Sequence, residues 1–259
     1  MSRPPLSLVL ITQDAASHLP TCLASVPFAD EILVVDSGSR DETRDIAGRH
    51  GARVLHQQWL GYGPQKRFAV EQAHHDWVLC LDADEALSPT LQRSIQQELS
   101  KPRFLAYRFA RQNRFMGRWL RHGEGYPDWQ LRLFHRQHAQ WRTDPIHEGV
   151  ETHTQIGSLK GDLLHESAQD LASYLAKQNR YTTLQAERLL AAGKCPGTAR
   201  LVLSPLLRFF KFYILRLGFL DGTPGLVHIL IGCFNSFSKY AKAREGRDQD
   251  PGSRANNPS

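Results

Sequence analysis

Asp82, Ala83, Asp84 and Glu85 follow the apolar run Trp77-Val78-Leu79-Cys80-Leu81. The run reads as a buried strand, so the acids stand at its C-terminal end, where ligands bind in open α/β sheets. Two carboxylates at i and i+2 can serve a hard cation, which takes oxygen ligands. Such a cation is most useful beside a diphosphate. The same acids would also suit a solvated turn ahead of a helix, with Ser88 as its N-cap. Three other features bear on the choice: Thr12-Gln13-Asp14, Val35-Asp36-Ser37-Gly38-Ser39 with Asp41, and Lys66. The first two end apolar runs in polar and acidic residues, which sets acids on successive strand ends.

The elements that would position these residues are legible as a pattern. Leu6–Ile11, Glu31–Asp36 and Arg53–His56 are strand candidates, and Ser17–Ser25, Asp41–His50 and Gln65–Ala73 are helix candidates. Strands alternating with helices predict an α/β domain with a mostly parallel sheet. Its polar strand ends would share one rim. After Pro102 the pattern changes. Phe104–Phe109 and Gln130–His135 read as strands around a loop rich in Arg, Gly and aromatics. Ser167 with Asp170 makes a capping-box-like start for a helix that runs to Ala192 and stops at Gly193.

Leu201–Leu220 is strongly apolar but is interrupted by Pro205, Arg208, Lys211 and Arg216. Central Arg and Lys disfavour a transmembrane helix. An interfacial helix with a basic edge fits better; two core helices packed on each other are the alternative. Leu226–Phe237 is a second apolar stretch, closed by Lys239, Lys242 and Arg244. The polar chain from Gly246 is expected to be disordered. The expected boundaries are therefore a domain over 1–165, a helical region over 166–245 and a tail over 246–259.

A chain of 259 residues suits one medium domain with an appendage, or two small ones. With 41% hydrophobic and 22% charged residues it can build an ordinary globular core. The net charge of +6 points to an anionic partner: a membrane surface, nucleic acid or a phosphorylated substrate. Composition does not choose among them. Cys22, Cys80, Cys195 and Cys233 are scattered without a C-x-x-C pair, against a zinc site or disulfide framework and for a reducing compartment. Leu6–Ile11 is too short for a signal-peptide core and is followed by polar residues. A cytosolic, unprocessed protein is the expectation.

In this order, Thr12-Gln13-Asp14, the Val-Val-Asp-Ser-Gly-Ser segment, Lys66 and Asp82-Ala83-Asp84 resemble the nucleotide-sugar-binding half of family 2 glycosyltransferases. These are inverting enzymes of the GT-A fold. Tyr126 to Phe134, then His147-Glu148, then Gly218 to Gly222 and Lys239-Tyr240 resemble one branch of that family. That branch holds the bacterial lipopolysaccharide inner-core β-1,4-glucosyltransferases, which use UDP-glucose. The resemblance implies a GT-A, Rossmann-like sheet with a helical, membrane-associating C-terminal region. It also implies a UDP-sugar donor, with Mg²⁺ or Mn²⁺ on Asp84 and with Asp82 on the metal's water shell or the ribose. Asp36 would contact the nucleoside, with Thr12, Asp14 and Ser37 beside it. Lys66 would approach the nucleotide or its phosphates, and Arg132 would steady a phosphate or stand as an outward strand residue. His165 would complete the metal shell or be a packing histidine.

An inverting displacement needs a base within reach of the acceptor hydroxyl. Glu148 is favoured by its place in chain order, although His147 stands where the commoner family pair begins with Glu. Asp128, in an aromatic loop flanked by Pro127, is the other candidate. The implied reaction moves a hexose, glucose by branch, to a lipid-linked bacterial glycan such as an inner-core heptose. It would occur on the inner face of the cytoplasmic membrane, with no nucleic acid partner. A non-catalytic basic module for anionic lipid or nucleic acid would use the Arg-rich loop from Arg111 to Arg121. It gives no reason for acids on successive strand ends, which repel phosphates unless a cation intervenes. A nucleotidyltransferase shares the sheet and metal logic, but no Gly-rich phosphate signature follows the first strand.

Overall fold

The computed structural model describes residues 3–143, 149–166, 170–194 and 196–249. Glu148, His147 and Ser167 lie outside the described residues, as do Cys195 and the chain after Gln249.

The first apolar runs form strands β1 (Leu6–Thr12), β2 (Glu31–Asp36), β3 (Arg53–His56) and β4 (Trp77–Asp82). Helices α1 (Leu19–Ala24), α2 (Thr43–Arg49) and α3 (Tyr62–Glu71) connect them. The chain continues through β5 (Glu85–Leu87), α4 (Pro89–Ser100), β6 (Ala106–Phe115), β7 (Arg118–Trp119), β8 (Asp128–His135), β9 (Ala139–Trp141), β10 (Val150–Thr152) and β11 (Ile156–His165). The main sheet has the order β3-β2-β1-β4-β8-β6-β11-β5, with β7 beside β6. The first four strands in that order run parallel, as the βα alternation predicts. From β8 onward the sheet is extended by antiparallel pairings, β4 with β8 and β8 with β6, and β11 with β5.

β1, β2 and β4 are largely buried, so their apolar stretches run unbroken, while edge strand β3 (Arg53-Val54-Leu55-His56) is only part-buried. Leu8, Leu10, Leu79 and Leu81 enter the core on one side. Their neighbours Val9, Val35, Val78 and Cys80 enter the core on the other, with Phe134 and Trp141. Each fully buried large side chain contributes about 1.5–3 kcal/mol.

β11 crosses close to the start of α4. Ser88 caps α4, as its sequence position predicts: its hydroxyl accepts from Leu91 N at 3.3 Å, and also from Asp162 N at 3.0 Å. Gly161 makes this approach possible. Its φ is +98°, and a Cβ there would stand 2.3 Å from Leu91 N. A side chain would have to displace backbone and hold a conformation that L residues rarely adopt. Gly161→Ala is expected to destabilise the protein by at least about 2 kcal/mol. Urea unfolding should show a lower midpoint with an unchanged slope; an unchanged midpoint would mean that the crossing is not tight.

The chain divides into two compact units, residues 1–112 with 128–166, and residues 113–127 with 167–259. The second unit thus includes the aromatic Arg loop, which the 1–165 expectation assigned to the first. It is otherwise built of α5 (Leu171–Ala191), α6 (Thr198–Phe209) and α7 (Gly222–Gln249), with α7 packed on both others. Asp170 itself is the N-cap of α5, accepting from Ser173 N at 2.8 Å, where the capping-box pattern had it as the third residue after Ser167. The helix stops ahead of Gly193, whose φ is +66°. α6 passes into a π-helical turn, Phe210–Leu215, and then a 3₁₀ turn, Gly218–Asp221. α7 runs past the expected tail boundary at Gly246. There Gly246 lies against Leu190 of α5, where a Cβ would come within 2.7 Å of the leucine Cδ1. Buried Asp221 ties the loop to the helices by accepting from Arg121 N at 2.9 Å and His122 N at 2.7 Å. Among the described residues no single helix is long and apolar enough to cross a membrane. One pair, Thr198–Leu215 with Gly218–Arg247, passes that test together but is bent by 74°.

Candidate active site

The parallel register sets three of the expected residues side by side on one rim. Thr12 at the end of β1 is opposite Asp36 at the end of β2, and Ile11 is opposite Asp82 at the end of β4. The loops that follow β1 and β2 are tied together. Asp14 N donates to Ser39 Oγ at 2.9 Å, and Asp14 Oδ1 accepts from Arg40 N at 2.7 Å. Ala15 N reaches Thr43 Oγ1 and Ala16 N reaches Asp41 Oδ2. Asp14 itself is exposed, with φ +50°, a conformation that Asp tolerates better than most residues.

Asp36, to which the resemblance gives a nucleoside contact, also holds the loop that follows β2. It is fully buried. Oδ1 accepts from Gly38 N at 3.0 Å and Ser39 N at 2.9 Å; Oδ2 accepts from the hydroxyls of Thr12 and Ser39. A carboxylate has about four acceptor sites, and all four are filled. Burial alone would raise its pKa, but the bonds from Ser39, Thr12 and Gly38 outweigh burial and hold the carboxyl below the usual range. Asp36 is therefore a turn-bracing acid that shapes the loop. Ser37, next to it, accepts from Gln65 Nε2 at 3.0 Å. Buried Gln65 also donates to Gln57 O and accepts from Leu60 N, so it pins α3 to the loop.

The acid run after β4 splits into two parts. Asp82 turns toward buried cations: Lys66 Nζ is 2.7 Å from Oδ1, and Arg132 Nη2 is 2.8 Å from Oδ2. Arg132 Nη2 also reaches Glu85 Oε1 at 3.2 Å, and Arg111 Nη1 approaches the same oxygen at 3.2 Å. Glu85 Oε2 accepts from Asp82 N at 3.0 Å. Arg111 completes the chain with Asp128, where Nη2 stands 2.7 Å from Oδ2. Three acids thus face three cations. Lys66 and Arg132 both lie over the Trp141 ring, at 4.7 and 5.2 Å from its centroid.

The electrostatics follow from this balance. Burial pushes the Asp82 carboxyl up, but Arg132 and Lys66 outweigh it and hold the group well below the usual carboxylate range. Burial would also lower Arg132, yet Glu85 and Asp82 raise it. Lys66 and Arg132 are only 6% and 4% exposed, and both are committed to Asp82. The resemblance gives both cations a nucleotide or phosphate contact; the structure pairs both with Asp82, and the alternative of an outward strand residue fails for Arg132 because it is buried against these acids. Asp82 keeps unused lone pairs and 29% of its side chain in solvent, so it can still accept from a hydroxyl or a bound water.

Asp84 takes the other direction. Its Oδ2 is 3.2 Å from His165 Nε2, and its carbonyl accepts from Glu166 N at 3.0 Å. The antiparallel pairing of β11 with β5, which sets His165 opposite Glu85, delivers the histidine to the acid. The side chains are 35% and 22% exposed, open to a ligand. A carboxylate oxygen beside an imidazole nitrogen is a donor set that Mn²⁺ accepts; Mg²⁺ is the more oxygen-demanding ion. Among the described residues no group of three His, Cys, Asp or Glu side chains is arranged for a metal. These two side chains would hold such an ion and leave its other positions to oxygen ligands from outside the chain. Asp82, with both oxygens on cations, fits an outer role.

Of the two base candidates, Glu148 lies outside the described residues. Asp128 is bound through Oδ2 to Arg111 Nε and Nη2 and through Oδ1 to Gln130 Nε2 at 2.8 Å. Sequence reasoning missed Gln65, Glu85, Arg111 and Trp141 as site residues. Glu85 lay within the acid run and could have been found as its third carboxylate. Arg111 and Trp141 carry no local signal.

The sequence model of glycosyl transferase family 2 matches residues 7–157. An uncharacterized glycosyltransferase of Rickettsia bellii is 32% identical over 255 residues, 93% of this chain and 86% of its own length. The lipopolysaccharide core biosynthesis glycosyltransferase LpsC of Rhizobium meliloti is 28% identical over 246 residues, 92% of this chain and 91% of its own. Among solved structures, S. aureus TarS 1-349 in complex with UDP-GlcNAc aligns with a TM-score of 0.48 and 15% identity, covering 93% of this chain and 92% of that one.

Proposed function

The chain belongs to glycosyl transferase family 2, and from that premise we propose that it moves a hexose from a UDP-sugar to a lipid-linked bacterial glycan. We take the hexose to be glucose and the acceptor to be a heptose of the lipopolysaccharide inner core, at the inner face of the cytoplasmic membrane. Glucose and UDP rest on the branch resemblance of Tyr126–Phe134 and the later motifs. Similarity to LpsC along most of both chains supports a core glycan as acceptor. The observation that carries the reading is the Asp84–His165 pair on the rim where β1, β2 and β4 end.

Asp84 and His165 would hold Mg²⁺ or Mn²⁺. What that ion supplies when bound is neutralisation of charge on the departing diphosphate. The other roles belong to the chain. Asp82, kept ionised by Lys66 and Arg132, offers an acceptor to a ribose hydroxyl. The braced loops after β1 and β2 shape the nucleoside end, with Asp14 exposed at its edge. Glu148 takes the proton from the acceptor hydroxyl as it attacks the anomeric carbon in line, so the sugar inverts. The engagement of Asp128 with Arg111 and Gln130 supports a positioning role for that residue.

The test is transfer from UDP-glucose to a heptose-bearing core glycolipid with Mn²⁺, compared across a panel of UDP-sugars. Transfer from another UDP-sugar alone would overturn the donor; no transfer with any donor would overturn the reaction. Glu148→Gln is expected to lower kcat by about 10²–10⁴-fold, the usual worth of a general base, with UDP affinity unchanged. If Asp128→Asn has that effect instead, the base is Asp128.

A further inference from the structure

We propose that the helical unit docks on an anionic lipid bilayer through one face of α6 and the turn that follows it. Leu203, Leu206, Leu207, Phe210 and Ile214 recur at the spacing of one helical face. All five are exposed; Leu206 is 61% and Leu207 66% open. The opposite face is committed inward: Ser204 bonds to Ser236 of α7 at 2.8 Å, and Arg208 Nε bonds to Glu124 at 3.0 Å. On α7, Leu230, Phe234 and Phe237 repeat the pattern at i, i+4 and i+7, and they are also exposed. Exposed apolar side chains this dense along one helix face mark an interaction surface.

Charge selects the occupant. Residues 113–127 and 167–259 hold 16 Lys and Arg against 7 Asp and Glu, net +9, while the remaining residues hold 16 against 19, net −3. Between Val202 and Leu220 the only charged residues are Arg208, Lys211 and Arg216. Lys211 and Arg216 are exposed, and Arg216 Nη2 also donates to Tyr126 O at 2.9 Å. Apolar side chains flanked by Lys and Arg, in a unit of strong positive charge, match a surface that is apolar below and anionic above.

Geometry favours lying along that surface over crossing it. The continuous helical stretch Thr198–Leu215 spans at most about 27 Å, less than the about 30 Å of bilayer hydrocarbon, and it carries Arg208 and Lys211 within it. The chain then leaves the helix at Leu217, whose φ is +54°, and the two helical stretches diverge by 74°. None of these side chains is among the donor-site residues, so the test does not depend on which sugar is transferred.

The experiment is co-sedimentation of the full chain with phosphatidylcholine vesicles, with and without phosphatidylglycerol, at low and high salt. The wild type is expected to bind the anionic vesicles at least about tenfold more tightly than the neutral ones, and to weaken with salt. The double variant Leu206→Gln with Phe210→Gln should lose at least about tenfold of that binding. Because these side chains are exposed, its melting temperature should not change. The pair Leu207→Gln with Leu215→Gln, on residues 66% and 64% exposed, serves if the first pair fails to fold. Lys211→Glu should lower binding to anionic vesicles only. Equal binding by wild type and a folded apolar variant would overturn the proposal, as would no binding to anionic vesicles. Light scattering that shows a dimer, dissolved by the apolar variant, would assign the face to a second copy and also overturn it.

Discussion

Asp84→Ala is expected to abolish metal-dependent UDP binding and to lower transfer by about 10³-fold or more. A Lewis acid on a leaving diphosphate is worth several kcal/mol, and each 1.36 kcal/mol is about tenfold in rate. The side chain is a third exposed and bonds to His165 alone among the contacts described, so little of the fold depends on it. Its melting temperature should stay within about 2 °C of wild type, since surface substitutions are usually within about 0.5 kcal/mol. Calorimetric titration with UDP, with and without Mn²⁺, separates binding from turnover. Retained Mn²⁺-dependent affinity in the variant would remove Asp84 from the metal site. His165→Ala should weaken the same metal dependence by a smaller factor, because the carboxylate remains. If His165→Ala changes only stability, the histidine is a packing residue and the site has lost its second donor.

The contrast between Asp84 and its neighbours explains what the sequence could and could not disclose. The parallel strands β1, β2 and β4 were legible because burial on both faces forces unbroken apolar runs, and their polar ends mark the rim. Asp82 and Asp84 were legible as a pair because alternation at a strand end is a local property. Their division of labour was not. It depends on Lys66, Arg132 and His165 arriving from α3, β8 and β11, and those arrivals are set by sheet order. The antiparallel strands β8, β6 and β11 carry mixed polar and apolar residues, and nothing local states which neighbour they take. Asp36 shows the same limit from the other side. A conspicuous acid after an apolar strand reads as a ligand contact, yet Gly38, Ser39 and Thr12 consume every acceptor site it has. Within that motif Asp36 holds the backbone of the loop, a role set by tertiary hydrogen bonds. In the helical unit, apolar content was plain in the sequence, whereas the exposed and packed faces of α6 became distinct only once α7 supplied a partner.

Arg132→Met should be among the most damaging substitutions in the catalytic unit, costing about 3–5 kcal/mol of stability. Arg132 is the shared cation of Asp82 and Glu85, and Glu85 is wholly buried. Removing Arg132 leaves three acids facing Lys66 and Arg111 only, in a region where burial already opposes ionisation. The loss is then mainly the cost of an uncompensated buried charge, and that makes a specific forecast about a second substitution. Glu85→Gln in the Arg132→Met background removes one acid for the one cation lost, leaving Asp82 with Lys66 and Asp128 with Arg111. The double variant should therefore be more stable than the two separate losses imply, by about 1–3 kcal/mol of coupling. Urea unfolding of the four proteins in the cycle measures it. Strict additivity would mean that the two groups do not share a charge balance, and that Arg132 acts through its packing on Trp141. A transfer assay on the double variant adds a functional readout. If Arg132 serves to keep Asp82 ionised and oriented, activity should stay low even where stability returns, because the restored balance lacks the cation on Asp82 Oδ2.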